Sequence, residues 1–257
     1  MRDFGRGPGG ISRRFASLLC VSVVCFGLAL SGGCPQLRAE EEPARLTVVV
    51  FGDSQAQGIA GGLQRLLLED SRVRVLNRTH PGAALVHGEN EWFGPIRTFL
   101  AHDKADVAIV MFGANDRLDI PGGGEGGGYA RFRSDAWHDA YTARVEKILA
   151  ALDGAGLKVI WCGNPIARSD VYSKDMVYIN AIFQAEAERF GAQYFPLWET
   201  VVDDQGHYTA HGKDRDGTTR RMRADDGIHF TAAGYEVIAD KLVTLLPLPD
   251  ANGPPAQ

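Results

Sequence analysis

Residues 46–54 read LTVVVFGDS, and this stretch decides the fold. Apart from Thr47, residues 46–51 form an unbroken apolar run rich in β-branched side chains. That is the composition of a strand buried on both faces of a sheet. Gly52-Asp53-Ser54 stops the strand, and helical spacing runs from Ile59 to Leu68. A buried strand, a tight turn and a helix open a parallel βαβ unit. Outward from it the pattern repeats. Strands are expected at 73–76, 107–112, 157–161 and 193–195, and helices at 137–152, 176–190 and 231–245. Right-handed crossovers then give a three-layer α/β/α sandwich with a parallel, flavodoxin-like sheet. Two stretches break the rhythm. Residues 121–128 (PGGGEGGG) are expected to form a mobile surface loop with neither helix nor strand, because glycine loses too much backbone entropy. Residues 206–223 are polar and carry His207, His211, Lys213, Arg215, Arg220 and Arg221.

Residues 1–39 differ from the rest. Arg2, Arg6, Arg13 and Arg14 precede the mostly apolar run at 15–30, and small residues follow at 31–33. This is the layout of a secretory signal, cut after Gly33 or Ala39, or of an uncleaved N-terminal anchor. Cys34 is a weak lipidation candidate, since Ser31 stands where an apolar residue is wanted. The expected organisation is a leader at 1–39, one domain at 40–248 and a flexible tail at 249–257, in an extracytoplasmic protein. The N-terminus is the candidate for any membrane association. The whole chain has 27 Lys and Arg and 32 Asp and Glu; setting aside the five Arg and one Asp of the leader leaves 22 against 31, a net charge of about −9. With no basic run, this balance excludes nucleic acid as the expected partner. Cys20 and Cys25 fall in the leader, so no disulfide framework or zinc pattern is available, and Cys162 reads as a buried thiol.

Four short motifs carry chemistry. Ser54 follows the first strand, at the carboxyl edge where open parallel sheets bind ligands. The helix start behind it favours negative charge nearby. Taken alone, Asp53-Ser54 is equally an ordinary helix cap. Asp226-Gly227-Ile228-His229 precedes the last helix. This spacing lets a carboxylate accept from the imidazole Nδ1–H, leaving Nε2 to take a serine proton. Alone it is equally a surface turn, with Asp225 a solvated neighbour. Gly113-Ala114-Asn115-Asp116 ends the third strand, where Asn115 can offer its NH₂ to an oxyanion or merely brace a turn. Asn77 and Gly82 follow the second strand, and a glycine there can bring a backbone N–H to a ligand or simply complete a Pro-Gly turn.

In order, GDS, N-x4-G, G-x-N-D and D-x-x-H resemble the four blocks of the SGNH (GDSL-like) hydrolase superfamily, over roughly residues 46–245. The resemblance implies Ser54 as nucleophile and Asp226 and His229 as its partners. It implies an oxyanion hole made by Gly82, Asn115 and the Ser54 N–H, with no metal or cofactor. The chain departs from the family pattern in block two, where Thr79 replaces a glycine and Pro81 precedes Gly82; Ala83 is the alternative donor. Further residues resemble a bacterial cell-envelope subgroup of the same superfamily: Trp137, Tyr141 and Arg144, then residues 159–161 with Pro165 and Arg168, then residues 223–231. Arg168 and Arg223 are candidates to hold a polar or anionic group in the cleft, or else form surface ion pairs. Trp92, Trp137, Trp161 and Trp198 read as packing rather than a sugar platform. The functional expectation is an exported serine ester hydrolase acting on acyl esters of envelope glycans or lipids. The alternatives are an O-acyltransferase on an envelope polysaccharide using the same residues, and a binding module that kept the fold.

Overall fold

The computed structural model describes residues 45–249, so the expected leader and nearly all of the expected tail lie outside the described residues. In chain order the main elements begin with β1 (Leu46–Gly52), α1 (Ser54–Leu66), β2 (Val73–Thr79), α2 (Glu89–Trp92), α3 (Gly94–His102) and β3 (Val107–Met111). They continue with α4 (Asp135–Gly154), β4 (Lys158–Cys162), α5 (Asp170–Arg189), β5 (Gln193–Phe195), β6 (His211–Lys213), β7 (Thr219–Arg221) and α6 (Ala232–Val243). The first five strands form one sheet in the order β2-β1-β3-β4-β5, with every pair parallel. This is the flavodoxin-like order, and it puts β1 beside the point where the winding reverses.

The continuous apolar run of β1 serves two cores at once, because successive side chains point to opposite faces. Val48 and Val50 pack with Ile59 and Leu63 of α1 and Ile238 and Leu242 of α6. Val49 and Phe51 pack with Trp137 and Tyr141 of α4 and Ile179 and Phe183 of α5. Trp137 stacks on Tyr141 at 4.3 Å, and Trp92, Trp137 and Trp161 are buried. Cys162 is a buried free thiol. Each strand therefore needs apolar residues on both faces, which is why the strands read as runs rather than alternations.

The structure departs from the sequence reading in several places, among them the unexpected helices α2 and α3. Helix α1 stops at Leu66, leaving Leu68 exposed. The glycine-rich stretch is not wholly irregular: it holds a 3-10 turn at Glu125–Gly127, closed by an Ile120–Ala130 bridge. Gly126 makes the turn possible by adopting φ 62°. The polar stretch ahead of α6 folds into an antiparallel hairpin of β6 and β7. Asp214 closes its loop by accepting the N–H groups of Asp216 and Thr218 at 3.0 and 2.8 Å. Among the described residues no helix is long and apolar enough to cross a membrane.

Candidate active site

Strand register aligns Gly52 with Thr79 on one side and with Met111 on the other, so the loops after β1, β2 and β3 leave the sheet at one edge. Gly52 has φ +138°, and a Cβ there would lie 1.8 Å from the Met111 carbonyl oxygen, so only glycine lets the chain turn off the sheet. Asp53 caps α1, its Oδ1 accepting from the Gln55 N–H at 2.9 Å. Ser54 is the first residue of that helix and is half-buried.

His229 and Asp226 reach Ser54 from a turn just ahead of α6, across 175 residues of sequence. Ser54 Oγ lies 2.7 Å from His229 Nε2. His229 Nδ1 lies 2.6 Å from Asp226 Oδ2. The other carboxylate oxygen of Asp226 accepts the backbone N–H groups of Ile228 and His229 at 2.8 and 2.9 Å. Burial opposes the charge on Asp226, but these N–H groups and the imidazole outweigh it and bring its pKa down to about 2. An ionised carboxylate only accepts, so Nδ1 carries the imidazole proton. Nε2 is then the acceptor for the serine hydroxyl. Asp225 stays exposed and pairs with Arg221.

The loops after β2 and β3 carry the other candidate oxyanion donors. Gly82 and Asn115 line one open groove of about 480 Å³ with His87, Ala114, Arg117, Leu118 and Tyr172. Gly82 has φ +82°, and a Cβ there would meet nothing within 4 Å, so the backbone itself faces open space. Among the described residues the N–H groups of Ser54 and Gly82 donate to no protein acceptor. Ala83 is already committed, donating to the His80 carbonyl at 2.9 Å, which removes it as the alternative donor. One hydrogen of the Asn115 amide is also used, on the Ala83 carbonyl at 3.1 Å. The second remains for a ligand.

Sequence reasoning missed the group that holds this groove's wall. Asp116 is fully buried; its Oδ1 accepts from the Val86 N–H at 3.1 Å and its Oδ2 from the Tyr141 hydroxyl at 2.7 Å. Arg144 donates to the carbonyls of Leu85 and His87. Three side chains from α4 and the β3 loop thus clamp residues 85–87, just beyond Gly82. Burial raises the pKa of Asp116 to about 6 and that of Asp53 to about 7.

The family model for proteins of unknown function called DUF459 matches residues 47–245. The chain belongs to the DUF459 family. No match was found among curated proteins. Solved structures share its fold. An α/β hydrolase from the metagenome of Lake Arreo, Spain, is 19% identical with a TM-score of 0.56, over 79% of this chain and 95% of that one. An acetyl xylan esterase is 17% identical with a TM-score of 0.53, over 78% of this chain and all of that one. A GDSL-like lipase from Bacteroides thetaiotaomicron is 14% identical with a TM-score of 0.50, over 77% and 86%. The fold is the SGNH type that the four sequence blocks resemble.

In this DUF459 member the two arginines proposed for the cleft both contact the segment that carries Asp226 and His229. Arg223 is fully buried and donates to the Ile228 carbonyl at 3.0 Å, with its guanidinium 4.2 Å from the Phe230 ring and 5.0 Å from the Tyr208 ring. Burial lowers its pKa to about 10. A side chain sealed from solvent cannot meet a substrate, nor is it a surface ion pair, so both readings of Arg223 are corrected. Arg168 is exposed but turned to the same loop: its Nη1 donates to the Asp225 carbonyl at 2.9 Å and its N–H to the Gly227 carbonyl at 3.0 Å. Both brace the turn that delivers His229. Another cavity, of about 490 Å³, lies among Val107, Leu157 and Phe190 at the amino edge of β3 and β4, the end of the sheet opposite Ser54.

Proposed function

We propose that this protein is a serine ester hydrolase in which Ser54, His229 and Asp226 act as a catalytic triad. The observation that carries the reading is the hydrogen-bonded line Ser54 Oγ–His229 Nε2, Nδ1–Asp226, set beside two backbone N–H groups without acceptors. Ser54 Oγ attacks the ester carbonyl carbon while its proton passes to His229 Nε2. Asp226 holds the ring in the accepting tautomer and stabilises the imidazolium. The N–H groups of Ser54 and Gly82 and the free hydrogen of Asn115 receive the oxyanion as it forms. The carbon–oxygen bond to the alcohol then breaks, and His229 returns the proton to the leaving oxygen. Water repeats the sequence on the acyl-enzyme, releasing the acid and restoring Ser54. A sugar hydroxyl in place of that water would make the same site an acyltransferase.

The leader-like sequence at 1–39 supports an extracytoplasmic site of action, and the likeness to an acetyl xylan esterase supports an acyl ester of a glycan as substrate. Ser54→Ala tests the assignment. The hydroxyl contributes little packing, so the variant should unfold within a degree or two of wild type yet lose ester hydrolysis and labelling by a fluorophosphonate. Wild-type turnover in the folded variant would remove Ser54 as nucleophile. Product analysis with and without a glycan acceptor separates hydrolysis from transfer.

A further inference from the structure

The groove that holds Gly82 and Asn115 runs on to Arg117, which is built into place. Its Nε donates to Asp175 at 2.7 Å, and its guanidinium lies 4.9 Å from the Tyr172 ring centroid. Tyr172 is fixed in turn, its hydroxyl donating to the Ala114 carbonyl at 2.9 Å. Asp175 has only 12% of its side chain exposed and serves two guanidiniums, since Arg133 Nη2 sits 2.9 Å from its other oxygen. One carboxylate is thus shared between two arginines, and Arg117 has no ion-pair partner of its own. Arg133 is the one non-glycine residue with positive φ among those described, at 68°, a strained backbone of the kind that gathers at functional sites.

Of the other charged groups here, one is paired and one is held by the backbone, and neither bonds Arg117. His87 faces Glu91 at 3.0 Å, and Asp119 accepts the Phe132 N–H at 2.8 Å without forming an ion pair. Among the described residues only Nε of Arg117 makes a hydrogen bond, so both Nη groups lack a protein acceptor. The chain as a whole is acidic, with a formal charge of −5, so this cation is not part of a generally basic surface.

We propose that Arg117 anchors an anionic group of the substrate, so that the ester cleaved at Ser54 is an acidic one. A guanidinium with its Nε fixed and its two Nη groups open presents paired donors to a carboxylate, and does so two residues from Asn115. The anion belongs either to the acyl side, as in a half-ester of a dicarboxylic acid, or to the alcohol side, as in an acylated uronate. The turnover arm of the test rests on the ester-hydrolase reading; the binding arm does not.

Two isosteric pairs distinguish the sources: p-nitrophenyl hemisuccinate against its carboxamide analogue, and an O-acetylated methyl glucuronoside against its glucuronamide. The ratio of kcat/KM for carboxylate over carboxamide should exceed one in at least one pair. It should fall on the order of tenfold in Arg117→Gln, the loss of a charge-assisted hydrogen bond, and partly recover in Arg117→Lys. Added salt should narrow it. The pair that responds names the side of the ester carrying the anion. A ratio unchanged by Arg117→Gln in both pairs overturns the proposal. If wild type cleaves no ester, the hydrolase reading falls, and calorimetry of the same four compounds on the full chain decides the anchor alone. A Kd preference for carboxylate that Arg117→Gln abolishes supports the anchor, and equal Kd values overturn it.

Discussion

The Asn115 amide carries two hydrogens, and the fold uses one of them to hold the Ala83 carbonyl. In the proposed mechanism the other meets charge that grows between the bound ester and the tetrahedral state. Such an interaction lowers kcat when lost and changes KM little. Asn115→Ala should therefore cut kcat by about 10²–10³ while also loosening the loop that follows Gly82. Steady-state kinetics corrected for the folded fraction check this. A fall in kcat below about threefold, far under that range, would leave Asn115 only the bracing role. At this scale the sequence was informative where chemistry is local. Asp226 and His229 are three residues apart and could be read as a pair. Ser54 could be read from the strand it ends. Arg117 could not, because Asp175 and Tyr172, which fix it, lie 58 and 55 residues away on α5, and no spacing announces that meeting. Arg223 misled for a related reason: arginine is a surface residue by habit, and only the structure shows aromatic rings covering it.

Among the elements, α4 does more than cover the sheet. Tyr141 and Arg144 lie on it three residues apart, on neighbouring turns of one face. Tyr141 donates to Asp116 at 2.7 Å, and Arg144 holds two carbonyls of the 85–87 loop. Removing the tyrosine hydroxyl leaves a buried carboxyl oxygen without its donor, which costs about 1–3 kcal/mol. Tyr141→Phe should lose that stability in denaturant titration. Because the same loop begins at Gly82, kcat should fall severalfold as well. Loss of stability with unchanged kcat would confine the clamp to folding. The buried strands and long helices were legible because each presents a run or a 3.6-residue stripe. Helices α2 and α3 were not: α2 has four residues, and Pro95 breaks the pattern that Trp92, Ile96 and Phe99 otherwise make. The β6–β7 hairpin escaped because its three-residue strands have no apolar face, and hydrogen bonds to Asp214 close it instead.

For the whole molecule, the site's carboxyl groups set opposing trends of stability with pH. Asp53 and Asp116 are raised by burial to about 7 and about 6, from an ordinary 3.8. The folded state therefore holds their protons after the unfolded chain has released them. Over that window the unfolded state binds fewer protons, so stability falls as pH rises from about 4 to about 7 and then levels. Asp226 works the other way. With its pKa at about 2, it favours the fold above about pH 4, and that contribution is lost as pH falls through 2. It is partly exposed, so its share is small beside the buried pair. The melting temperature should accordingly peak near pH 4–5 and decline toward pH 7. Asp53→Asn keeps a side-chain oxygen for the Gln55 N–H while removing the titration. Calorimetry of that variant from pH 4 to 8 should show a flatter decline than wild type. An equally steep decline would mean that the cost of charging buried carboxyls lies elsewhere than beside Ser54.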